Sequence, residues 1–407
     1  MTNPQLRRDI QLVSITVEGR QMITFIDSLK LVQAGFAIDK RMIPLLQMLD
    51  GKNDLRDIQM GLMRLMGGTI VPISEVEAFI GQLDRHFILE SDAFHQKKAD
   101  LMEEFAQKTE REAMLADKSY EGDPEKLRRF INDTEAQLAL LPAADKVEIV
   151  GILAPHIDIG IARQAYVDVY RRLKGRRFDL VIIFGINHQG REGLFSVTEK
   201  DYLTPLGRME TDREFISALK SGLPEGTIAA YDFDHMMEHS IEFQTVFLAH
   251  YLGNGARIVP VLCGGLHEFL ASGSDPFRDS RFLAFRDATD RIIRERGRKV
   301  LFVSGVDFSH VGPKFGHSVP AEALLGRARA NDELIISSLM EGKPEEIYRN
   351  ALATQDQYNV CGLASMIIFT SLIGPCKAEL LHYGTYDEPS TSSAVTYASM
   401  VFTRQGS

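Results

Sequence analysis

Three runs of buried-strand character in this chain each lead directly to a histidine. The runs and their histidines are residues 147–155 with His156, residues 179–185 with His188, and residues 300–306 with His310. Each run is rich in valine, isoleucine and leucine, and helical patterns separate the runs, which is typical of parallel strands covered on both faces. Ligands bind such sheets at the carboxyl ends of their strands. The pattern therefore predicts an α/β domain with three imidazoles at one edge of its sheet.

Composition narrows the class of protein. The chain has 407 residues and a net charge of −10, which argues against a nucleic-acid partner because phosphate binding needs clustered lysine and arginine. No apolar run reaches the roughly 18 residues of a membrane span, and the first residues lack a signal-peptide core. The three cysteines are far apart and odd in number, which excludes a disulfide framework. We expect a soluble, cytoplasmic protein with neither membrane nor nucleic-acid contacts.

The first part of the chain is predicted to hold a small separate domain. Residues 1–95 begin with a strand pair that turns at Gly19, and Ser74 with Glu77 resembles a capping box at the start of a helix. The predicted helices of this part cover residues 39–49, 55–65 and 74–83. Strand edges with three short helices suggest a winged-helix-like α+β domain. Residues 96–146 are dense in charge with sparse helix-spaced apolar side chains, which predicts a solvated helical connector.

Residues 147–405 alternate between strand and helix patterns. This alternation favours a three-layer α/β domain with a mostly parallel sheet. The last two strands, at 378–383 and 394–402, are predicted to form an antiparallel edge. The predicted helices cover residues 161–173, 212–219, 240–252, 282–294, 321–339, 345–352 and 363–372.

The histidines at the strand ends are candidates for chemistry. A single histidine after a strand is more often structural, but three at equivalent positions indicate a shared metal site or acid/base site. Imidazole suits iron, copper, zinc and nickel, so the metal stays open at this point. Asp307, three residues before His310, either orients that imidazole or forms an acid/base pair with it. The alternative role of Asp307 is that of an N-cap for a short turn.

Cys361 is a further candidate because it directly precedes the apolar helix predicted from Leu363. A thiol at a helix N-terminus has a lowered pKa and is a ready metal ligand or nucleophile. A buried and inert cysteine is the alternative.

A second histidine motif offers another interpretation. His235, Glu238 and His239 match the H-x-x-E-H pattern of zinc peptidases, in which two histidines bind zinc and the glutamate acts as base. That motif needs one continuous helix, whereas the sequence favours a helix that begins near His239. The alternative is that Glu238, His239 and Glu242 line the cleft, since Glu242 lies one turn beyond His239.

Eight short motifs follow one another as they do in Memo-like proteins, whose prokaryotic members are the B component of the AmmeMemoRadiSam system. They occupy residues 154–156, 185–188, 203–207, 238–242, 258–261, 306–310, 359–362 and 392–397. On these motifs the chain resembles the Memo-like family over residues 147–403. The family has a fold similar to that of class III extradiol dioxygenases, which are non-haem iron(II) enzymes.

The resemblance implies roles for individual residues. His156, His188 and Cys361 would be the metal ligands, and His310 with Asp307 would occupy the acid/base position. Apart from the resemblance, His239 and Glu242 are expected to contact substrate if they line the cleft. Iron(II) is the first metal expected and copper the second. Cys361 stands where a dioxygenase has glutamate, and Gln189 follows His188 where Memo proteins often have a second histidine, so ring cleavage itself does not carry over.

The N-terminal part is similar to PqqD-type domains through residues 42–51, 79–83 and 87–89. That resemblance implies a module that docks a peptide or protein, with radical-SAM and AMMECR-like proteins as expected partners. The leading hypothesis is a metal-dependent redox or oxygenase-type enzyme acting on an unknown small molecule or peptide. The rivals are a non-catalytic adaptor whose cleft binds a peptide or protein, and a zinc peptidase that uses His235 and His239.

Overall fold

The structure is a computed structural model, and it describes residues 3–27, 29–141, 147–190, 192–264 and 266–405. The chain divides into two compact units, Met1–Gln107 and Lys108–Ser407. Residues 96–146, predicted to be a connector, are shared between the units. Their first part continues a helix of the first unit, and most of the rest belongs to the second unit.

The described residues of the first unit form a small antiparallel sheet and four helices. The strands are β1 (Ile10–Val17), β2 (Arg20–Asp27) and β3 (Ala37–Asp39), in the order β1-β2-β3. The helices are α1 (Ile43–Gln47), α2 (Leu55–Leu65), α3 (Ile73–Arg85) and α4 (Asp92–Gln107). The predicted strand pair and its turn at Gly19 are confirmed.

The predicted capping box at Ser74 is wrong. Helix α3 begins at Ile73 after Pro72, and no side chain caps it, so Ser74 already lies inside the helix. A capping box does occur at α2, where the Asp54 side chain accepts from the backbone of Asp57 and the Asp57 side chain accepts from the backbone of Asp54. The box thus forms with aspartate at both positions, a pairing that the serine-glutamate signature does not detect.

The second unit is built on a large mixed sheet, and the predicted α/β class is confirmed. The described strands are β5 (Val147–Ala154), β6 (Leu180–Ile186), β7 (Phe195–Val197), β10 (Arg257–Cys263), β11 (Val300–Gly305), β12 (His310–Val311), β13 (Lys377–Glu388) and β14 (Ser393–Gln405). Along the sheet they run β12-β14-β5-β11-β6-β10-β7, with β13 paired to β14. A second small sheet contains β4 (Glu110–Arg111), β8 (Asp201–Thr204) and β9 (Gly207–Met209).

The central strands β5, β11, β6 and β10 are parallel, and the flanking pairs are antiparallel. The predicted antiparallel edge of the last two strands is confirmed by the pairing of β13 with β14. Since β5, β11 and β6 are neighbours, the residues that follow these strands emerge side by side at one edge of the sheet.

Helices cover both faces of the large sheet. They are α5 (Pro124–Gln137), α6 (Ile159–Arg171), α7 (Arg213–Lys220), α8 (His239–Leu252), α9 (Leu266–Ser272), α10 (Ser280–Arg296), α11 (Glu322–Met340), α12 (Pro344–Thr354) and α13 (Leu363–Ile373). Strand β6 shows why its sequence is apolar throughout: Ile182 and Phe184 pack into one hydrophobic cluster, whereas Val181 and Ile183 pack into the other. Among the described residues, none of the helices combines the length and the apolar character needed to traverse a bilayer.

Candidate metal centre

Three imidazoles meet at the carboxyl edge of the central strands. His156 follows β5, His188 follows β6, and His239 is the first residue of α8. Their ligand nitrogens all lie within 4.8 Å of one another. The ring centres are 5.2 Å apart for His156 and His188, 5.3 Å for His156 and His239, and 5.0 Å for His188 and His239. We call these three residues the imidazole group.

The spacing of the rings matches three ligands around one ion. An imidazole nitrogen binds a zinc-sized ion at about 2.0–2.1 Å, and the ring centre lies about 1.1 Å farther out, so three tetrahedrally placed rings have centres about 5.2 Å apart. The observed separations of 5.0–5.3 Å agree with that value. The imidazole group therefore has the dimensions of a metal site.

Hydrogen bonds fix which ring nitrogen of His156 and of His188 faces the group. His156 Nδ1 lies 3.0 Å from the carbonyl oxygen of Gly305, so the ring donates through Nδ1 and leaves Nε2 as the ligand atom. His188 Nδ1 lies 3.0 Å from each carboxylate oxygen of Glu238. Glu238 also accepts from the backbone nitrogens of His239 and Ser240, and it thereby caps α8. One carboxylate thus orients His188 and begins the helix that carries His239.

Burial determines the charge of two rings of the imidazole group, and Glu238 determines that of the third. Burial lowers the pKa of both His156 and His239 to about 4, so both rings are neutral at pH 7, as metal ligands must be. Burial alone would lower the pKa of His188, but the charge and hydrogen bond of Glu238 raise it above the usual value. Burial would likewise raise the pKa of Glu238, and the neighbouring His188 holds it well below its usual range.

Cys361 lies beside the imidazole group. Its Sγ is 3.3 Å from His156 Nε2 and 3.7 Å from the carbonyl oxygen of Asp307. Nitrogen and sulfur ligands of one tetrahedral ion are about 3.6 Å apart. The predicted lowering of the Cys361 pKa is wrong, because burial and the Asp307 charge raise it well above its usual value. Without a cation the thiol therefore keeps its proton.

Asp307 and His310 lie at the imidazole group, in the segment that follows β11 and leads into β12. One oxygen of Asp307 accepts from the backbone nitrogen of His156 at 3.0 Å, and the other lies 3.6 Å from His156 Nε2. Burial raises the pKa of Asp307. His310 Nδ1 lies 3.0 Å from the Phe308 carbonyl oxygen, and burial lowers the pKa of His310 although Asp307 opposes that shift. A neutral His310 can therefore accept a proton through Nε2.

A buried carboxylate supports the segment that carries His310. Asp332 on α11 accepts from Ser309 Oγ at 2.6 Å, from Thr396 Oγ1 at 2.6 Å and from the Tyr383 hydroxyl at 2.7 Å. The Asp332 side chain ties the backbone before His310 to the antiparallel strands. The position of His310 is thus supported by hydrogen bonds that join α11, β13 and β14 to the residue before it.

Two residues predicted to line the cleft or to bind metal lie elsewhere. Glu242 is fully buried, and its carboxylate accepts from Arg111, from the Tyr120 hydroxyl at 2.5 Å and from the Leu115 backbone at 2.8 Å. It is therefore a structural partner and does not reach the imidazole group. His235 is also fully buried, and its Nδ1 lies 2.9 Å from the Tyr202 hydroxyl.

The zinc-peptidase motif is not on one helix. His235 belongs to a short 3-10 helix, Phe233–Met236, whereas His239 begins α8 and Glu238 caps it. The two histidines therefore do not present the neighbouring ring nitrogens that the peptidase interpretation requires. His239 instead joins His156 and His188.

A cavity of about 340 Å³ opens near the start of α6. It is lined by residues 117–121 together with Phe130, Ile159 and Gly160. Ile159 and Gly160 follow His156 closely in the chain, but none of the three imidazoles lines this cavity. It is thus a neighbouring space, separate from the imidazole group.

Comparison with known proteins gives consistent matches. The family model described as Memo-like protein matches residues 111–401. A MEMO1 family protein of Aquifex aeolicus is 30% identical over 379 residues, covering 90% of this chain and 92% of that protein. A MEMO1 family protein of Methanopyrus kandleri is 28% identical, and the match covers 72% of this chain and 99% of that protein. A MEMO1 family protein of Thermococcus kodakarensis is 33% identical, and the match covers 55% of this chain and 76% of that protein.

Proposed function

The chain belongs to the Memo-like protein family, and from that premise we propose that its second unit binds a redox-active transition metal. The proposed ligands are His156, His188 and His239, with Cys361 as the fourth donor. Iron(II) is the first candidate and copper the second. The observation that carries the proposal is the set of ring separations of 5.0–5.3 Å, which equals the spacing of three imidazoles around one ion.

The chemistry of the donor set fits such an ion. Neutral imidazoles suit iron, copper and zinc, and a thiolate favours the softer members of that set. Cys361 carries a proton in the metal-free site, and it would hold a cation as the thiolate, because a coordinating thiol is deprotonated. When bound, iron(II) would supply redox chemistry and polarise a substrate oxygen.

The chain's own residues supply orientation and proton transfer. Glu238 fixes the tautomer of His188, and the Gly305 carbonyl fixes that of His156. His310 is the proposed base: its Nδ1 is engaged by the Phe308 carbonyl, and its lowered pKa keeps Nε2 free to take a proton at pH 7. The proposed activity is redox or oxygenase-type, on a small molecule or a peptide.

Anaerobic reconstitution with Fe²⁺, followed by metal analysis, tests the proposed ligands. We expect one ion per chain in the wild type and in His310→Asn. We expect loss of the ion in His156→Ala and His188→Ala, and a weakened site in His239→Ala and Cys361→Ser. Metal content that stays at the wild-type level in the His156→Ala/His188→Ala double variant would disprove this site.

Oxygen consumption separates the enzyme from the adaptor. An enzyme of the proposed kind consumes oxygen with Fe²⁺ bound and loses turnover, but not metal, in His310→Asn. If the metal-loaded protein consumes no oxygen with any candidate substrate, the adaptor hypothesis gains support instead. Co-purification with radical-SAM or AMMECR-like proteins tests the partners that the family resemblance suggests.

A further inference from the structure

Arg111 links a distant part of the second unit to the imidazole group. It belongs to β4, and only 1% of the residue is exposed. Its guanidinium donates to the His235 carbonyl oxygen at 3.1 Å, to the Glu238 carbonyl oxygen at 2.8 Å and to the Glu242 carboxylate. Arg111 also donates to the Glu112 carbonyl oxygen at 2.8 Å, so a single planar group holds three backbone carbonyls and one carboxylate, a geometry that lysine does not reproduce.

Two of these carbonyls, those of His235 and Glu238, flank the turn that leads into α8. The turn ends at Glu238, whose side chain orients His188, and it is followed directly by His239. A displacement of the turn would therefore shift one ligand and the carboxylate that orients another. Hydrogen-bond partners of metal ligands matter in this way because they hold ligand rings in the binding orientation.

Glu242 anchors the other side of Arg111. It also accepts from the Tyr120 hydroxyl and from the Leu115 backbone, so the segment 111–120 is tied to the first turns of α8. The ring of Tyr202 lies against the Arg111 guanidinium at 5.2 Å. Apart from the bond to neighbouring Glu112, these contacts join Arg111 to the segment that presents Glu238 and His239, or to a residue that packs beside that segment.

We propose that Arg111 is a positioning residue for the metal centre, which it serves by clamping the turn 235–238. This inference rests on the proposed function for its link to metal, but the clamp itself is a property of the metal-free chain. A purely structural ion pair would stabilise the fold without affecting the affinity or geometry of the site. The two cases therefore differ in what their removal does to a bound ion.

Titration with Co²⁺ distinguishes a positioning role of Arg111 from a purely structural one. The test variant is Arg111→Met/Glu242→Gln, which removes both charges together and leaves no unpaired buried charge. We expect Co²⁺ affinity to fall by about 10- to 100-fold, with an altered absorption spectrum of the bound ion. Arg111→Lys keeps the charge beside Glu242 but cannot reach both carbonyls, so it is expected to restore stability and not affinity.

Arg7 provides a matched control in the first unit. It is also 1% exposed, and it donates to Asp9, to Asp27 and to the Phe87 carbonyl oxygen. Arg7→Met should leave the Co²⁺ affinity and spectrum of the wild type unchanged. Folded Arg111 variants that bind Co²⁺ with wild-type affinity and spectrum would overturn the proposal.

Hydrogen exchange of the metal-free protein gives a second, independent readout. The amides of His239 and Ser240 donate to Glu238, so loosening the turn should speed their exchange in Arg111→Met/Glu242→Gln relative to the rest of α8. Unchanged exchange there contradicts the clamp. If wild-type protein binds no Co²⁺, the proposed metal function fails, whereas faster exchange would still support Arg111 as the clamp of this turn.

Discussion

The two units bury ionisable groups in opposite ways. In the first unit, Arg7 is surrounded by acceptors, and its partner Asp27 also accepts from the backbone of Leu31 and Val32. In the second unit, the imidazole group gathers rings whose nitrogens face one another, and burial lowers the pKa of His156 and His239 to about 4. A buried charge that is paired and hydrogen-bonded, as Arg7 is, stabilises the unit that contains it. A cluster of buried rings, two of which have a depressed pKa, is costly alone and becomes favourable when a cation binds to it.

Removing the buried cation of the first unit should have the largest effect. Arg7→Met leaves Asp27 buried without its partner, so we expect the free energy of unfolding of that unit to fall by about 3–5 kcal/mol. Urea unfolding followed by circular dichroism measures the change. A loss below about 1 kcal/mol, typical of exposed ion pairs, would show that the Arg7 cluster is not the satisfied core described here.

Weakening the carboxylate that orients His188 should act on the second unit alone. Glu238→Gln removes the charge beside His188 Nδ1, and we expect Co²⁺ affinity to fall by about 10- to 100-fold. Isothermal titration of Co²⁺ into the variant gives the affinity. Arg7→Met is again the control, because it lies in the other unit. Equal affinities for Glu238→Gln and the wild type would remove Glu238 from the site.

A third group, the half-buried carboxyl of Asp356, tests the comparison through pH. Asp356 accepts one backbone hydrogen bond, from Val360, and burial raises its pKa to about 6. Since the unfolded carboxyl titrates near 3.8, folding favours the protonated form, and stability falls as the pH rises from about 4 to 6. We expect Asp356→Asn to increase the free energy of unfolding by about 1–2 kcal/mol at pH 7.5 and to leave it unchanged at pH 3.5.

Asparagine suits this position because Asp356 has a φ of 45°, in the left-handed region that asparagine tolerates. Urea midpoints measured at several pH values provide the test. A variant whose advantage over the wild type does not change between pH 3.5 and pH 7.5 would rule out the raised pKa as its cause.

The smallest effect on metal binding should come from His235. Its Nδ1 contacts Tyr202, and it lies outside the imidazole group, so His235→Gln should change Co²⁺ affinity by less than about threefold. The same titration applies, with His239→Gln as the matched variant. Loss of the metal in His235→Gln together with its retention in His239→Gln would revive the peptidase interpretation.

Sequence by itself determined much of the framework. Runs such as residues 180–186 carry no charged or polar side chain, which requires cover on both faces and so predicts a central parallel strand. The bounds of α2 agree with the predicted helix 55–65, whose end the glycines at 67 and 68 marked. The convergence of His156 and His188 also followed from sequence, because residues after neighbouring parallel strands share one sheet edge.

Only the tertiary structure decided what surrounds each side chain. His239 and Glu242 are three residues apart on α8, yet His239 joins the imidazole group and Glu242 pairs with Arg111. Helical spacing gives the face of a residue but not the segment packed against it. Arg111 gave no signal within its run of charges, since its role depends on carbonyls more than 120 residues away. The pKa of Cys361 was mispredicted for the same reason: the helix terminus is a local feature, whereas burial depends on the whole fold.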